Sequence, residues 1–241
     1  MNVFAYRYPR PSVAVDVVVF TLEGERLQVL LIDRREEPLG LALPGGFLCV
    51  GETPDLLTDH SDYGVSALVE VDASLEACAQ RELYEETSVE VDRSQLHFIG
   101  AYGDQHRDPR GRYVSIAYWT VVRKDAVVVR AGSDAVQASW VDYASIGSGS
   151  KAKKLAFDHD KILMSAYRSL KSHRKYEDFL GLVSEQFSMN DWRLICESMI
   201  GQKIDRSNFH NLTKEIRERL SPAPRVSEGR GAPPIRFYRP K

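Results

Sequence analysis

The sequence predicts an α/β protein in which a mixed sheet with at least one helix is followed by a helical C-terminal domain. Three observations support this class. Apolar, β-branched runs separated by turns fill the first 145 or so residues, a Gly/Ser stretch with lysines follows at 145–154, and capped helical segments come after it. At 241 residues the chain is long enough for two domains of roughly 100–150 residues. We therefore expect an N-terminal domain at 1–156, a connecting helix at 157–174 and a C-terminal domain at 175–241.

The N-terminal domain is predicted to begin with a hairpin. SVAVDVVVFTL (12–22) and LQVLLID (27–33) are β-branched and aliphatic runs joined by a short turn of Glu, Gly and Arg. Between the early and late strands, Ser74 can cap a helix over LEACAQRELYEET, whose apolar residues have helical rather than strand spacing. Further strands are predicted at 97–102, 113–122 and 136–143.

The C-terminal domain has strong helix-start and helix-stop signals. Ser188 can cap the helix MNDWRLICESMI, Phe187 can pack on Trp192 as a hydrophobic staple, and Gly201 ends the helix. Asp205 repeats the cap, so two helices joined by a short turn predict a helix-turn-helix. We expect the second helix to be continuous, with this inward stripe: Phe209, Leu212, Ile216 and Leu220.

A Gly-rich, arginine-bearing segment follows the second helix. RVSEGRGAPPIRFYR (225–239) is typical of a short β-hairpin, which would be the wing of a winged helix-turn-helix. Residues 203–241 contain ten Lys or Arg and four Asp or Glu, a net charge of +6, which leaves −8 for residues 1–202. A basic end on an acidic body indicates a polyanion partner for that end.

Composition indicates a globular protein and the cellular compartment in which we expect it. The chain has 43% hydrophobic and 27% charged residues, which is ordinary for a globular protein with a proper core. Its three cysteines are far apart and have neither metal-type nor disulfide-type spacing, so a reducing cytoplasm is the simplest expected location. No run reaches the roughly 18–20 apolar residues of a membrane span, so we expect no membrane insertion.

The segment RELYEETSV (81–89) concentrates carboxylates. On a helix, Glu82, Glu85 and Glu86 share one face, and like charges that close repel unless a cation neutralises them. Mg²⁺ is the natural candidate because it takes oxygen ligands and shares them with substrate phosphates. Taken alone, such a cluster on an exposed helix is more often a solvated face.

Upstream residues make the metal interpretation stronger. ALPGGFLCVGE (42–52) suits a tight loop whose backbone approaches a ligand. Gly46, Glu52 and the later Arg-Glu-Leu-x-Glu-Glu together resemble the Nudix box, the signature of enzymes that hydrolyse nucleoside diphosphates linked to another moiety. The resemblance implies an α/β/α sandwich, with Glu82, Glu85 and Glu86 as metal ligands or base and Arg81 as their orienting partner.

The box departs from the family pattern at two places. The family leaves seven residues between the equivalents of Glu52 and Arg81, whereas this chain has the 28 residues of 53–80, an apparent insertion of 21. Ser88 stands where the family has a glycine that ends the helix. An insertion at this point can move Gly46 away from the carboxylates, and a misplacement of about 1 Å can cost ~10²-fold in rate.

A second informative stretch is GDQHRDPRGRYVSIAYW (103–119). Its arginines suit phosphate, although a basic turn held by local Asp–Arg pairs is the plainer interpretation. Combined with LIDRREEPLGLALPGGF (31–47) and LAFDH (155–159), it resembles the Nudix-related transcriptional regulators (NrtR-type), bacterial dimeric repressors of NAD-metabolism genes. The resemblance implies ADP-ribose binding by these residues: Arg34, Gly45, Gly46, Arg81, Arg107, Asp108, Arg110, Phe157 and His159.

The same resemblance implies DNA binding at the C-terminal end. By helical rotation Ser207, Asn211 and Lys214 lie opposite the apolar stripe, and such side chains can contact base edges in the major groove. Asn208 and His210 flank them, and Arg225, Arg230 and Arg236 of the wing would contact phosphate or the minor groove. The alternative is a helical domain that only dimerises.

Two functions from different classes follow from the sequence. The first is a homodimeric repressor that binds a palindromic operator in double-stranded DNA, regulates NAD biosynthesis or salvage genes, and is released by ADP-ribose. The second is a Mg²⁺-dependent ADP-ribose pyrophosphatase with an accessory C-terminal domain. The intact glutamates of the box support the second function, whereas the insertion and Ser88 weigh against it.

Overall fold

The computed structural model describes residues 10–50, 71–129, 135–146, 153–223 and 236–239. Within them the chain forms a seven-stranded sheet covered by a helix on each face, followed by short helices and a two-stranded sheet. The predicted α/β/α sandwich with a mixed sheet is confirmed. No helix in the described part of the chain is long and apolar enough to cross a membrane.

Two long strands form the centre of the sheet, as the sequence predicts. β1 (Ser12–Glu23) and β2 (Arg26–Arg34) pair antiparallel through a tight turn in which Gly24 has a φ of 62°. Along one edge, β1 pairs with β2 over its second half and with β4 (Gly45–Phe47) over its first half. β3 (Gly40–Ala42) pairs with the end of β2. This split places the double glycine beside the start of β1.

The remaining strands make the sheet mixed. β6 (Tyr113–Val121) runs parallel to β1, and β5 (His97–Tyr102) pairs antiparallel with β6. β7 (Ala135–Asp142) pairs antiparallel with β2. All three agree to within a residue or two with the strands predicted from the sequence.

One helix packs on each face of the sheet. Val15, Val17 and Val19 of β1 pack toward α1 (Leu75–Thr87), whereas Val18 and Phe20 pack toward α2 (His159–Ser172). This alternation follows from the period of two in a strand. Because β1 is covered on both faces, its sequence is almost continuously apolar rather than alternating.

The ends of α1 are set by two serines. The Ser74 hydroxyl accepts a hydrogen bond from the Ala77 N–H at 3.1 Å, which confirms the predicted cap. Ser88 ends the helix in the left-handed region with a φ of 59°. A residue with a Cβ pays about 1–2 kcal/mol in that conformation, which explains why glycine is usual here. The helix nevertheless ends at the expected residue.

The C-terminal part is built around two capped helices. Ser188 and Asp191 form a reciprocal capping box at α3 (Met189–Ile200), and Gly201 ends it with a φ of 63°. Phe187 lies edge-on to Trp192 with ring centroids 6.3 Å apart, as the predicted staple requires. The Asp205 carboxylate accepts from the Asn208 N–H at the start of α4 (Arg206–Leu212).

The predicted continuous second helix is wrong. The helix breaks at Thr213, where φ is −104° and ψ is 11°, and α5 (Lys214–Arg219) follows. The inward stripe also changes, because Leu212 is 57% exposed whereas Thr213 is fully buried. The Thr213 hydroxyl donates to the Phe209 carbonyl at 2.7 Å, so its polar group is satisfied inside the core.

The arms of the predicted wing are partly described. β9 (Arg236–Tyr238) pairs with β8 (Gln186–Ser188), just before α3. Residues 221–223 pair with the other side of β9, through hydrogen bonds from the Ala223 N–H to the Arg236 carbonyl and from the Tyr238 N–H to the Ser221 carbonyl. Residues 224–235, which contain the predicted wing tip, lie outside the described residues.

One apolar core runs through both parts of the molecule. It joins Phe20 and Trp119 of the sheet to Ile162 of α2 and then to Phe179 and Trp192 of the C-terminal part. The helix predicted at 157–174 is therefore packed on the sheet rather than standing free. The proposed division at 156 and 174 stays a prediction, and most of the Gly/Ser stretch, residues 147–152, lies outside the described residues.

The corrected stripe gives a stability prediction. Phe209→Ala should lower the free energy of unfolding by about 3–5 kcal/mol, because the ring packs between Trp192 and Tyr176. Leu212→Ala should change it by no more than about 0.5 kcal/mol, because that side chain faces solvent. Urea unfolding followed by tryptophan fluorescence measures both, and equal losses would contradict the break at Thr213.

Candidate functional site

A pocket of about 530 Å³ opens where β1, β2, β4, α1 and the start of α2 meet. A volume of this size suits a nucleotide-sized ligand. Ten of the twelve residues predicted for ligand or metal binding line it, namely Arg34, Gly45, Gly46, Glu82, Glu86, Arg107, Asp108, Arg110, Phe157 and His159. A larger depression of about 620 Å³ lies along Gln80 and Tyr84, but Arg81 is the one predicted ligand or metal residue that lines it.

The double glycine allows backbone and carboxylates to lie in contact. A Cβ on Gly46 would come within 3.0 Å of the Glu82 carboxylate, and one on Gly45 would come equally close to the Val15 carbonyl. The Gly45 N–H also donates to Glu86 Oε2 at 2.8 Å. Only glycine fits at position 45, where the obstacle is backbone, whereas a Cβ at position 46 would push the Glu82 carboxylate out of its place.

The three glutamates of α1 do not act as one cluster. Glu82 and Glu86 point into the pocket from successive turns, whereas Glu85 is 53% exposed at its side chain and bonds to Arg81 at 2.9 Å. Burial raises the pKa of Glu82, and it raises the pKa of Glu86 to about 8. A bound cation would lower both pKa values again, because it stabilises the ionised form that burial disfavours.

Arg81 lies beside the pocket as a structural tie. Its guanidinium makes two parallel bonds to Asp72, at 3.0 and 2.9 Å, and donates to the Phe47 carbonyl and to Glu82. The hydrogen bonds to Asp72 raise the pKa of Arg81 above its usual value. Arg81 is thus committed to protein acceptors and holds α1 against the end of β4.

Asp72 also explains why the insertion leaves the box intact. The Asp72 N–H donates to the Cys49 carbonyl at 2.9 Å, and the Cys49 N–H donates to the Asp72 carboxylate at 2.8 Å. The chain therefore leaves and re-enters the fold at adjacent points. The expected displacement of Gly46 is not found, since Gly46 still contacts Glu82. No motif points to Asp72, which lies within the 28 residues between Glu52 and Arg81.

The rim of the pocket combines cations with aromatic rings. The Arg34 guanidinium lies 4.7 Å and that of Arg110 lies 5.3 Å from the ring centre of Phe157. Arg110 is anchored by a bidentate bond to Asp108, at 3.0 and 2.8 Å. Phe157 has a φ of 57°, which is uncommon for a residue with a Cβ and is a cost that binding sites often carry. These groups can contact an anion and a flat ring together.

The floor of the pocket is a buried polar network centred on Asp16. Its carboxylate accepts from Ser115 at 2.5 Å, from Arg107 at 3.3 Å, and lies 3.2 Å from His159 Nε2. Burial acts to raise the pKa of Asp16, but His159, Ser115 and Arg107 outweigh it and hold the pKa below its usual value. Asp16 is a site residue that the sequence analysis missed, because an isolated acid in an apolar run carries no motif.

The network also reaches the first turn of α2. Arg107 bridges Asp16 and Asp158, with its nearest Asp158 oxygen at 2.8 Å. His159, the first residue of α2, accepts the Leu43 N–H through Nδ1 at 2.9 Å. Arg107 and His159 were predicted as ligand-binding residues, and their polar groups are largely bonded within the protein. The floor of the pocket is therefore mechanically joined to α2.

Every predicted DNA-contact residue that the structure describes is exposed. Ser207, Asn208, His210 and Asn211 of α4 and Lys214 of α5 are all exposed. Arg236 is exposed on β9, where it pairs with Ser188. Arg225 and Arg230 lie outside the described residues, and His210 contacts Arg217 closely. Their role in binding stays a prediction.

Comparison with known proteins identifies relatives of two kinds. A NUDIX domain model matches residues 66–166. The chain is 29% identical over 205 residues to an ADPR responsive transcriptional repressor of Acinetobacter baylyi, covering 84% of this chain and 72% of that protein. It is 32% identical over 163 residues to an ADP-ribose pyrophosphatase of Methanocaldococcus jannaschii, covering 67% of this chain and 76% of the relative.

Solved structures of similar fold include an NrtR from Shewanella oneidensis. Its complex with a 27mer DNA is similar with a TM-score of 0.66 and 24% identity, over 95% of this chain and 93% of that one. The NUDIX domain of the same NrtR, in complex with ADP ribose, has a TM-score of 0.52 and 26% identity, over 68% and 90% of the two chains. The first likeness extends the shared fold through the C-terminal helices.

The raised pKa of Glu86 predicts how stability depends on pH. The pKa of Glu86 is about 8 in the folded protein against 4.5 in the unfolded chain. Such an acid contributes fully to stability below pH 4.5, and the contribution is lost as the pH rises through 8. The unfolding free energy in metal-free buffer should fall by on the order of 3–5 kcal/mol across this window. Glu86→Gln should flatten the profile, as measured by urea unfolding with a chelator at pH 5 to 8.5.

Glu85→Gln is the matched control, because Glu85 is on the same helix and faces solvent. Its profile should follow that of the unmodified protein. A Glu86→Gln profile as steep as the unmodified one would show that Glu86 does not sense the buried environment of the pocket.

Proposed function

The chain belongs to the Nudix family, and we propose that it is a transcriptional repressor that binds operator DNA and releases it when ADP-ribose occupies the pocket. One observation carries the proposal. The polar floor of the pocket contains the first residue of α2, and α2 continues through a shared core to the capped helices that bear the exposed polar face. The repressor relative that responds to ADPR supports the same assignment.

The pocket has the chemistry of a nucleoside diphosphate sugar site. ADP-ribose contains one adenine, two riboses and a pyrophosphate, so it needs a flat apolar contact beside cations. Phe157 offers the ring, while Arg34 and Arg110 lie beside it as cations. Burial and the nearby positive charge of Arg110 lower the pKa of Arg34. The protein therefore does not fully offset the positive charge of this guanidinium. A bound diphosphate supplies that compensation.

Mg²⁺ fits the other side of the pocket. Glu82 and Glu86 are hard oxygen donors from successive turns of one helix, and both have raised pKa values without a cation. When bound, the ion supplies charge neutralisation and polarisation at the pyrophosphate. Gly45 and Gly46 position the two carboxylates, and Arg81 keeps α1 in register with β4. Glu85 belongs to the Arg81 ion-pair group rather than to this pair.

The C-terminal helices present exposed polar side chains that are suited to DNA binding. α4 presents Ser207 and Asn211 to solvent, and Lys214 continues the surface onto α5. Helix-turn-helix proteins commonly bind as dimers to half-sites about 34 Å apart, which supports the proposal of a homodimer on a palindromic operator. The proposed regulated genes are those of NAD biosynthesis or salvage, and the proposed location is the cytoplasm, where the operator is.

Release requires that ADP-ribose favour an arrangement that binds DNA poorly. The two affinities are then linked reciprocally, with a coupling free energy typically of 1–3 kcal/mol. α2 is the element that links the two parts, because His159 at its start belongs to the pocket floor and His173, directly after its end, bonds to Asp178 of the C-terminal part at 2.9 Å. A change at the pocket floor therefore reaches the C-terminal part without crossing a linker.

A second function, hydrolysis of ADP-ribose to AMP and ribose 5-phosphate, is favoured by one observation. The insertion closes at Cys49 and Asp72, so Gly46 and Glu82 keep their contact. Slow turnover would make the sensor reset itself. The two functions are therefore compatible in one pocket.

A time-resolved binding experiment tests both functions. The protein is bound to a labelled palindromic fragment recovered by genomic selection, ADP-ribose and Mg²⁺ are added, and fluorescence anisotropy is followed. The expected result is a drop in anisotropy, which persists for a sensor and recovers, as AMP appears, for a sensor that cuts its ligand. A complex that ADP-ribose leaves intact would remove ADP-ribose as the effector.

Two variants separate the sites in this experiment. Asn211→Ala with Lys214→Ala should weaken operator binding by at least about 10-fold while leaving ADP-ribose binding unchanged, because both residues lie far from the pocket on the exposed helix face. Arg26→Ala, which removes an exposed cation from the β1–β2 turn, is the charge-matched control. Loss of ADP-ribose binding with intact DNA binding would contradict the assignment.

The aromatic rim gives a ligand-binding prediction. Phe157→Ala should raise the Kd for ADP-ribose by about 10-fold, because the ring beside the two guanidiniums is lost and roughly 1–2 kcal/mol of contact goes with it. Isothermal titration calorimetry measures the change. Phe98→Ala removes an exposed ring from β5 and should leave the affinity unchanged. Equal affinities of all three proteins would exclude Phe157 from the binding surface.

A further inference from the structure

A second group of metal-type side chains lies at the junction between the sheet and the C-terminal part. His97 is the first residue of β5, His173 directly follows α2, and Asp178 lies in a short 3-10 segment, Tyr176–Leu182. This group is not part of the carboxylate pocket. It joins three elements whose relative positions decide how the C-terminal helices sit on the sheet.

The donor atoms of the three side chains lie close together. Asp178 Oδ2 lies 2.9 Å from His173 Nε2 and 3.4 Å from His97 Nε2, and all three donor atoms lie within 4.8 Å of one another. Zn–N and Zn–O bonds of 2.0–2.1 Å in a tetrahedron require donor–donor separations of about 3.3–3.4 Å. The observed spacing needs adjustments of only a few tenths of an ångström at the two measured separations.

Packing fixes the imidazole rings before any ion arrives. His97 stacks on Trp119 with ring centroids 4.1 Å apart at 24°, and His173 lies edge-on to Trp119 at 5.0 Å. Phe179 packs against the other side of His173 at 5.5 Å. Trp119 is itself held by the bond from its Nε1 to Ser169. Preset rings lower the entropy cost of assembling a metal site.

The surroundings leave access for an ion and a water ligand. The three side chains retain between 13% and 21% of their exposure, so they are half-buried rather than sealed. Lys175 bonds the other carboxylate oxygen, Asp178 Oδ1, at 3.0 Å and leaves Oδ2 to the histidines. Lys175 is mostly exposed and can turn outward. Three protein donors with one open position is a common arrangement for zinc.

We propose that His97, His173 and Asp178 bind a divalent transition-metal ion, Zn²⁺ among the common ones, that ties β5 and the end of α2 to the 3-10 segment. Two imidazoles select such ions over Mg²⁺, whereas the all-oxygen pair Glu82 and Glu86 selects Mg²⁺. The chain thus holds two sites of different metal preference. The ion at the junction fixes Tyr176, whose ring packs on Phe209 of α4.

Metal binding is tested first on the full chain, independently of DNA and ADP-ribose. Chelator-treated protein in millimolar Mg²⁺ at pH 7.5 is titrated with Co²⁺ and Zn²⁺, and visible absorption and calorimetry are recorded. The expected result is one Co²⁺ per chain with a nitrogen/oxygen-type spectrum lacking thiolate charge transfer, displaced by Zn²⁺. Quenching of tryptophan fluorescence by Co²⁺ should accompany it, because Trp119 touches both imidazoles.

Variants assign the site. The double variant Glu82→Gln, Glu86→Gln should keep the Co²⁺ site, whereas His173→Ala and Asp178→Asn should each weaken it more than about 100-fold, since loss of a direct ligand exceeds the 10–100-fold cost of losing an outer partner. His106→Ala, which removes an exposed histidine, is the control. Asp178→Asn keeps the size of the side chain, so it serves if His173→Ala fails to fold.

Two outcomes would overturn the proposal. One is the absence of saturable Co²⁺ and Zn²⁺ binding to the unmodified protein, which would make the three side chains a hydrogen-bonded His–Asp cluster only. The other is binding that survives in Asp178→Asn but disappears in the Glu82→Gln, Glu86→Gln variant. Neither outcome depends on the repressor function, which the anisotropy experiment tests separately.

Discussion

The contact on which the rest depends is the buried Asp16 carboxylate. An isolated ion in the interior would cost several kcal/mol, and here Ser115, Arg107 and His159 share its charge. Those partners come from β6, from the loop before it and from α2, so satisfying one charge brings three separate elements together. The pocket floor and the start of α2 are therefore the same structure. A ligand that touches this floor acts on α2 directly.

The Gly45–Gly46 pair plays a comparable part for the carboxylates. It lets β4 lie close to α1, so that the Gly45 N–H donates to Glu86 and the Glu82 carboxylate packs against the Gly46 backbone. Both acids are thereby buried, and burial raises their pKa values. A bound cation offsets this effect of burial, because it stabilises the ionised form of both carboxyl groups.

Sequence reasoning succeeded where the signal is local. The caps at Ser74 and Ser188 and the glycine stop at Gly201 are fixed by residues within four positions, and the sheet strands follow from β-branched runs. It failed where the cause is distant. Asp16 and Asp72 matter only through partners far along the chain, and Leu212 was assigned inward because periodicity assumes an unbroken helix, whereas the core prefers Thr213. The different position of Glu85 from that of Glu82 and Glu86 can be recognised only when the position of β4 is known.

The length of α2 decides how far a change at the pocket can act. Its 14 residues span about 21 Å at 1.5 Å per residue, from His159 in the pocket floor to the residue before His173 at the junction. Because α2 is packed on the sheet along its length and is bonded to Trp119 through Ser169, a change at His159 acts on the helix as a whole. The far end contacts Asp178, and through Tyr176 it reaches Phe209. α2 therefore connects the pocket proposed for ADP-ribose with the metal site proposed at the junction, next to the helix that carries the proposed DNA contacts.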